Sequence, residues 1–196
     1  LIVSGGLIAF TLVPQALLWL WLYLVLNLAY SGGLKHVAIL DVIIVSLGFV
    51  LRLFAGAFAT DMTLSEWIVI MTFLLSLFLA LAKRRDDLVL EQQTNQRARR
   101  VNDEYSLGFL DSSVSIMAAV TIVAYITFTT SSPVLARFGS DYLYLTAIFV
   151  VIGLMRYLQL TQVKGSSGSP TRVLLGDRFT QLNLLAWICS FAAIIY

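Results

Sequence analysis

Five charged residues stand in a row at 83–87, after an apolar run that has carried no charge since Glu66. On a helix, Lys83 and Asp87 lie four residues apart on one face, and Arg84 lies one position round. Two cations and a carboxylate placed in this way could hold a phosphate while orienting a metal ion or a ribose. Positive charges also gather at cytoplasmic helix ends without a chemical role, so the spacing alone leaves both interpretations open.

The elements that carry this cluster are apolar. The chain has 196 residues, of which 59% are hydrophobic and 12% are charged, whereas a soluble domain carries about a quarter charged residues. The long uncharged runs predict an all-α, polytopic bundle of transmembrane helices. One cysteine and one histidine exclude a disulfide framework and a metal site built on thiolate or histidine pairs. No nucleic-acid partner is expected.

The hydrophobic runs predict six full membrane spans and part of a preceding one at residues 1–13. The full spans are expected at about 15–31, 37–59, 65–82, 108–129, 141–160 and 179–196. The third span is expected to continue as helix above the membrane, because residues 86–100 contain no Pro or Gly. Since Leu1 already reads as part of a span, we expect the chain to be the C-terminal two-thirds of a larger single transmembrane domain.

Three polar loops, at about 32–36, 83–108 and 161–178, share one face because successive spans cross the membrane in alternate directions. All Lys and Arg residues except Arg52 and Arg137 fall in or beside these loops. By the positive-inside rule, this face is cytoplasmic. The sequence therefore predicts a multi-pass protein of the plasma membrane with its polar site facing the cytoplasm.

Asp41 and Arg52 are ionisable residues within the second full span. They lie eleven residues apart, about 16 Å along a helix, and so cannot pair directly on one straight helix. Because a charge inside a span costs on the order of 3 kcal/mol, such residues usually face a bundle interior or a wet cavity. Arg52 is expected to be a cavity or packing residue, and Asp41 to lie at the pocket mouth. Lys35 either meets an anionic group or follows from topology alone.

Several stretches resemble the UbiA superfamily of membrane prenyltransferases, in order and spacing over nearly the whole chain. They are Tyr30–Lys35, Leu40–Asp41, Gly48–Arg52, Ala55–Gly56, Ala82–Leu88, Tyr105–Ser106, Arg156–Tyr157, Asp177–Arg178 and Ala186–Ile188. The closest match is to the decaprenyl-phosphate phosphoribosyltransferase branch, whose second polar motif reads Gly/Ala-Lys-Arg-x-x-Glu-Leu. In Ala82–Leu88 this motif reads AKRRDDL, with Asp87 in place of the usual Glu.

The resemblance implies about nine helices around a cytoplasm-facing cavity, in a bacterial enzyme. It implies a pentosyltransferase that moves 5-phosphoribose from phosphoribosyl pyrophosphate to a polyprenyl phosphate, releasing pyrophosphate, for cell-envelope polysaccharide precursors. The cofactor it implies is Mg²⁺, bound with pyrophosphate by an Asn-Asp-x-x-Asp-x-x-x-Asp motif. This motif is absent here and is expected upstream of Leu1, so the chain alone is expected to be inactive. Whether the protein forms a homo-oligomer is left open.

The resemblance also assigns roles to residues. The expected catalytic residues are Lys83, Arg84 and Asp87. The expected substrate-binding residues are Tyr30, Lys35, Asp41, Tyr105, Arg156 and Asp177. The two cations would neutralise the leaving pyrophosphate, and a carboxylate would hold ribose hydroxyls.

Two alternatives stay open. Prenyl transfer to an aromatic acceptor, such as a hydroxybenzoate, needs a second acidic cluster on metal. Asp86 and Asp87 are adjacent and therefore face away from each other on a helix. A non-catalytic membrane component, such as a transporter subunit or scaffold, is the other. A transporter is expected to carry polar or broken-helix sites near the membrane midplane, whereas most charge here crowds one surface.

Overall fold

The computed structural model describes residues 16–94, 104–163 and 176–195, and the regular structure of these residues is entirely helical, as predicted. The helices are α1 (Leu17–Gly32), α2 (Leu40–Ala59), α3 (Glu66–Thr94), α4 (Leu107–Thr130), α5 (Ser132–Phe138), α6 (Ala147–Leu158) and α7 (Arg178–Ile195). A 3₁₀ turn at Leu143–Thr146 leads into α6, and a π turn at Gln159–Val163 extends it.

Five helical segments of the described residues are long and apolar enough to cross a membrane: α2, α3, α4, the segment Leu143–Val163 and α7. The first predicted full span appears as α1, which has 16 residues and so rises only about 24 Å. The predicted partial span at 1–13 lies outside the described residues. The fold is therefore the helical membrane bundle that the sequence predicts.

Two features distinguish the observed helices from the expected ones. Helix α3 runs for 29 residues, or about 44 Å, so it projects beyond a hydrocarbon core of about 30 Å as predicted. Residues 130–140, which lie between two of the predicted spans, contain α5. Its first turn carries Pro133, and Gly139 ends it with a φ of 68°. Pro in the first turn and Gly just past the last turn are typical of the two ends of a short helix.

The chain divides into two compact units, Leu1–Ala80 with Arg99–Tyr105, and Leu81–Ala98 with Ser106–Tyr196. The organisation as a single domain stays a prediction. In the first unit, α1 packs on α2 through aromatic rings. Trp19 stacks on Phe54 with ring centroids 4.3 Å apart and contacts Phe58 at 5.5 Å. These contacts fix the register of α1 against α2.

In the second unit, a buried hydrogen-bond chain joins α4, the 3₁₀ turn and α7. Trp187 Nε1 donates to Tyr125 Oη at 3.0 Å. Tyr125 Oη lies 2.8 Å from Thr146 Oγ1, which donates to the Leu143 carbonyl at 2.6 Å. Because an unsatisfied polar group is costly in a membrane interior, this chain lets three elements bury polar side chains together.

Candidate functional site

The charged cluster lies on α3 in the second unit, where the helix leaves its apolar segment. Lys83 Nζ lies 2.7 Å from Asp87 Oδ1 and 3.9 Å from Asp86 Oδ2. Arg84 Nη1 donates to Asp87 Oδ2 at 3.5 Å. The spacing that placed Lys83 and Asp87 on one face is therefore confirmed, and Asp87 holds both cations.

The two cations of this cluster differ in exposure. The Lys83 side chain is 49% exposed, whereas that of Arg84 is 6% exposed. Lys83 can therefore reach an anionic substrate directly because an ammonium group has three donors and presents much of its surface. Arg84 is buried and donates a hydrogen bond to Asp87, so it positions the carboxylate that also pairs with Lys83.

Sequence reasoning missed the partner that anchors this helix end to its neighbour. Arg85 Nε donates to Asp111 Oδ1 on α4. Gln162, in the π turn, donates to the Asp111 carbonyl and to Ser115 Oγ, both at 3.3 Å. Asp111 is the one carboxylate in the sequence of α4, and an isolated carboxylate in an apolar span is the signal that could have identified it.

Within the described residues, cations and carboxylates of the cluster are paired. Three cations, Lys83, Arg84 and Arg85, face three carboxylates, Asp86, Asp87 and Asp111. A substrate phosphate could accept hydrogen bonds from the N–H groups of these cations. The position of Asp87 between two cations fits orientation of those cations better than a direct contact with ribose.

Asp41 and Tyr105, both expected to bind substrate, meet in the first unit. Asp41 is fully buried, and Tyr105 Oη donates to its Oδ1 at 2.7 Å. The same hydroxyl accepts the backbone N–H of Ile39 at 2.6 Å, and Ile39 has a φ of 70°. These hydrogen bonds connect residues 104–105 to the first turn of α2, and the Asp41 carboxylate is one of the groups that make the connection.

Arg156 and Asp177, also expected to bind substrate, bind each other. Arg156 Nε and Nη2 donate to the two oxygens of Asp177 at 3.0 and 2.7 Å, and Nη1 donates to Gln159 at 2.8 Å. Asp177 also caps α7 by accepting the Thr180 N–H at 3.0 Å. Neither residue hydrogen-bonds to Lys83, Arg84 or Asp87 within the described residues. The pair therefore acts as a clamp between α6 and the start of α7.

The Asp177 clamp predicts an acid dependence of stability. Hydrogen bonds from Arg156 are the largest cause that lowers the pKa of Asp177 well below its usual value; desolvation opposes this, and Thr180 lowers the pKa further. The folded state therefore binds this proton more weakly than the unfolded chain, whose Asp pKa is about 3.9. The stabilisation is fully present above about pH 4 and is lost as the pH falls towards the folded pKa.

We therefore expect Asp177→Asn to lower the melting temperature at pH 6, and the deficit relative to wild type to shrink between pH 4 and pH 3. Differential scanning fluorimetry in detergent measures both values. Asp141→Asn is the matched control because Asp141 is exposed and forms no ion pair within the described residues. A deficit of equal size at pH 6 and pH 3 would contradict the assignment.

Tyr30 and Lys35 lie together in the first unit, at the end of α1 and in the 3₁₀ turn Leu34–His36. Both are partly exposed. They share this unit with Asp41 and Tyr105, whereas the other five expected site residues belong to the second unit. The predicted site residues thus form four separate groups: Tyr30 with Lys35, Asp41 with Tyr105, the cluster Lys83, Arg84 and Asp87, and Arg156 with Asp177.

The described residues were also compared with the ligand sets that bind metal ions. Among residues 16–94, 104–163 and 176–195, no three His, Cys, Asp or Glu side chains come together so that they could hold a metal ion. The carboxylates nearest to such a role, Asp86 and Asp87, are already engaged by Lys83. These residues therefore do not form a magnesium site by themselves.

Comparison with known proteins identifies relatives. No protein-family model matches the chain. A decaprenyl-phosphate phosphoribosyltransferase of Mycolicibacterium smegmatis is 32% identical over 202 residues, covering 100% of the chain and 63% of that protein. Proteins of the same name are 29% identical over 187 residues in Mycobacterium tuberculosis and 27% identical over 174 residues in Corynebacterium glutamicum. These matches cover 95% and 89% of the chain.

The chain spans 63%, 61% and 52% of the lengths of these three relatives. The similarity covers the charged end of α3 together with the apolar helices on either side. It confirms the resemblance that the ordered motifs indicate. The chain is therefore similar, over most of its length, to bacterial proteins named decaprenyl-phosphate phosphoribosyltransferase.

Proposed function

We propose that the complete protein carrying this chain is a membrane pentosyltransferase that transfers 5-phosphoribose from phosphoribosyl pyrophosphate to a polyprenyl phosphate. The observation that carries the proposal is the similarity along the whole chain to enzymes named for this reaction. The helical membrane bundle and the charged end of α3 support it. The product would serve the synthesis of cell-envelope polysaccharide precursors.

In this reaction, the bond from ribose C1 to the pyrophosphate oxygen breaks, and a bond from C1 to an oxygen of the lipid phosphate forms. Pyrophosphate leaves with the electron pair of the broken bond. The lipid phosphate is already anionic at neutral pH, so it needs little help from a general base. The main task of the protein is therefore to stabilise charge on the leaving pyrophosphate and to position the two substrates.

The residues of α3 suit the first of these tasks. Lys83 presents exposed ammonium donors to an anion, Arg84 adds charge from beneath, and Asp87 fixes both cations. Because the donors are oriented before substrate binds, little reorganisation is needed as charge develops on the pyrophosphate. The cofactor in this proposal is Mg²⁺, with ligands from outside the described residues.

The orientation is part of the same proposal. The uneven distribution of Lys and Arg supports a cytoplasmic position for the charged end of α3, in a bacterial plasma membrane. A cytoplasmic site would give access to phosphoribosyl pyrophosphate, which is highly charged and cannot cross the bilayer. The lipid phosphate would approach from within the membrane.

One experiment tests the reaction and the orientation together. The complete protein is expressed in membranes, and radiolabelled phosphoribosyl pyrophosphate is added to sealed inverted vesicles and to sealed right-side-out vesicles that contain decaprenyl phosphate. We expect labelled lipid in inverted vesicles, and none in right-side-out vesicles until detergent opens them. Chelation of divalent cations should abolish labelling.

The alternatives give different results in the same preparation. Prenyl transfer would convert a polyprenyl pyrophosphate and a hydroxybenzoate into a prenylated aromatic product and leave the ribose label in water. A transporter subunit or scaffold would give neither product. Absence of labelled lipid in detergent-opened vesicles with all components present would refute the proposed reaction.

A further inference from the structure

An arginine lies deep inside the membrane-spanning helix α2. Arg52 is twelve residues after Leu40 and seven before Ala59, the two ends of the helix. These separations correspond to about 18 Å and about 10 Å along the helix axis. Neither end is therefore close enough for the backbone position to count as interfacial.

The side chain of Arg52 does not extend towards the nearer helix end. Its guanidinium carbon lies 5.1 Å from the ring centroid of Phe49, one turn towards the start of α2, and 4.8 Å from that of Tyr23 on α1. Helical side chains lean towards the N-terminus, as this one does. The charge is thus held near the middle of the span, where it cannot be hydrated by reaching the interface.

No carboxylate of the described residues forms an ion pair with Arg52. Asp41 lies on the same face of α2 but about 16 Å away along the axis. Residues 1–15 contain no Asp or Glu. The Arg52 side chain is nevertheless exposed, so an apolar lipid tail is an unfavourable neighbour.

The contacts of Arg52 hold its guanidinium beside Tyr23 and Phe49 and leave several of its N–H donors available. A Cβ built at Gly48 would lie 3.6 Å from Tyr23 Cε2, so the tyrosine ring rests against the backbone of α2. Arg52 Nη2 donates to Tyr23 Oη. Because the hydroxyl oxygen accepts this bond, its own proton can be donated onwards. The guanidinium has five N–H groups and uses one of them here.

We propose that Arg52 and Tyr23 form a binding site for a phosphate monoester inside the membrane. The fork of a guanidinium matches two oxygens of a phosphate, and the tyrosine hydroxyl supplies a further donor. A bound phosphate would compensate the positive charge of Arg52, which forms no ion pair with a carboxylate of the described residues. As an assignment to a substrate this rests on the proposed function, which offers two phosphate monoesters: the polyprenyl phosphate and the 5-phosphate of phosphoribosyl pyrophosphate.

Direct binding tests the site without requiring turnover. The complete protein is reconstituted in nanodiscs, and its affinity is measured for farnesyl phosphate, for farnesol and for ribose 5-phosphate. We expect Arg52→Gln to weaken the binding of one of the two phosphates by about tenfold or more and to leave farnesol binding unchanged. A loss for farnesyl phosphate assigns the site to the acceptor, and a loss for ribose 5-phosphate assigns it to the donor.

A second variant keeps the test valid if Arg52→Gln does not fold. Tyr23→Phe retains the ring that packs on α2 and removes one donor, so it should weaken binding of the same phosphate by about threefold. Arg137→Gln, which changes an exposed arginine of α5, is the matched control and should bind all three ligands as wild type does.

Other outcomes overturn the inference. Unchanged affinity for both phosphates in Tyr23→Phe and in folded Arg52→Gln would show that the arginine only pins α1 to α2. Equal losses for farnesol and farnesyl phosphate would show the same. A shift from dimer to monomer in Arg52→Gln, with phosphate affinity unchanged, would place the carboxylate of a second copy at the site. A wild-type protein that lacks transferase activity but shows the binding pattern would refute the proposed function alone.

Discussion

Replacing Lys83 with alanine in the complete protein is expected to lower kcat for phosphoribosyl transfer by about a hundredfold, the usual effect of removing one oriented group that stabilises a developing anion. Lys83 is the half-exposed cation of the α3 cluster, whereas Arg84 lies beneath it. The substrate anion therefore meets the ammonium first. Initial rates with radiolabelled phosphoribosyl pyrophosphate measure the effect.

The activity of Lys83 variants distinguishes a catalytic role of this lysine from a position that follows only from membrane topology. If the lysine stabilises the leaving pyrophosphate, Lys83→Arg should recover part of the rate, and Lys83→Ala should affect kcat more than KM. If the lysine only marks a helix end, both variants should be nearly as active as wild type. Arg137→Ala controls for the loss of one exposed cation elsewhere, and near-normal turnover of Lys83→Ala would remove Lys83 from the site.

The positions of the helices could be predicted because long apolar runs leave few alternatives in a membrane. The extension of α3 to Thr94 could also be predicted, since its polar half lacks Pro and Gly. Helix α5 could not, because Pro133 and Gly139 are equally typical of loops and of the two ends of a short helix. The choice depended on packing against α4, which local sequence does not contain.

Contacts within one helix could be predicted, and contacts between helices could not. The pairing of Lys83 with Asp87 follows from a spacing of four residues. Arg85 with Asp111, and Arg156 with Asp177, are separated by 26 and 21 residues, so they depend on how helices pack. The resemblance identified Arg156 and Asp177 individually as substrate-binding residues, but only the structure brings them together as a pair.

The role of Arg52 could be predicted in part from the sequence. Its position inside a span indicated a cavity or packing role, and the structure adds aromatic contacts with Tyr23 and Phe49. Tyr23 itself carried no signal, because aromatic residues are common throughout an apolar helix. The Tyr23 ring packs on α2 beside Gly48, where an added Cβ would lie 3.6 Å from Tyr23 Cε2, an ordinary van der Waals distance.

Tyr105→Phe is expected to lower the free energy of unfolding by about 2 kcal/mol, since it removes one hydrogen bond to a buried carboxylate and one to a backbone N–H. The hydroxyl lies 2.7 Å from Asp41 Oδ1 and 2.6 Å from Ile39 N. Unfolding by SDS in mixed micelles measures the change. Tyr142→Phe is the matched control because Tyr142 is exposed and its hydroxyl has no hydrogen bond within the described residues.

The loss should be smaller than two hydrogen bonds suggest if Tyr105 also holds a strained backbone, because removal of its hydroxyl lets that backbone relax. Ile39 is β-branched and has a φ of 70°, a conformation that costs on the order of 1–3 kcal/mol for such a residue. Glycine adopts this φ without that cost, and because Ile39 is 52% exposed, its side chain contributes little burial. Ile39→Gly should therefore offset this strain in the wild type, and offset less of it in the Tyr105→Phe protein, whose backbone can relax.

The double-mutant comparison decides whether Tyr105 restrains Ile39. If it does, Ile39→Gly stabilises the wild type more than the Tyr105→Phe protein, because only the wild type is held in the strained conformation. Equal effects of Ile39→Gly in both backgrounds would show that the two residues contribute independently. In that case the tie between residues 104–105 and α2 would depend on the Asp41 carboxylate, and Asp41→Asn should reproduce most of the loss seen in Tyr105→Phe.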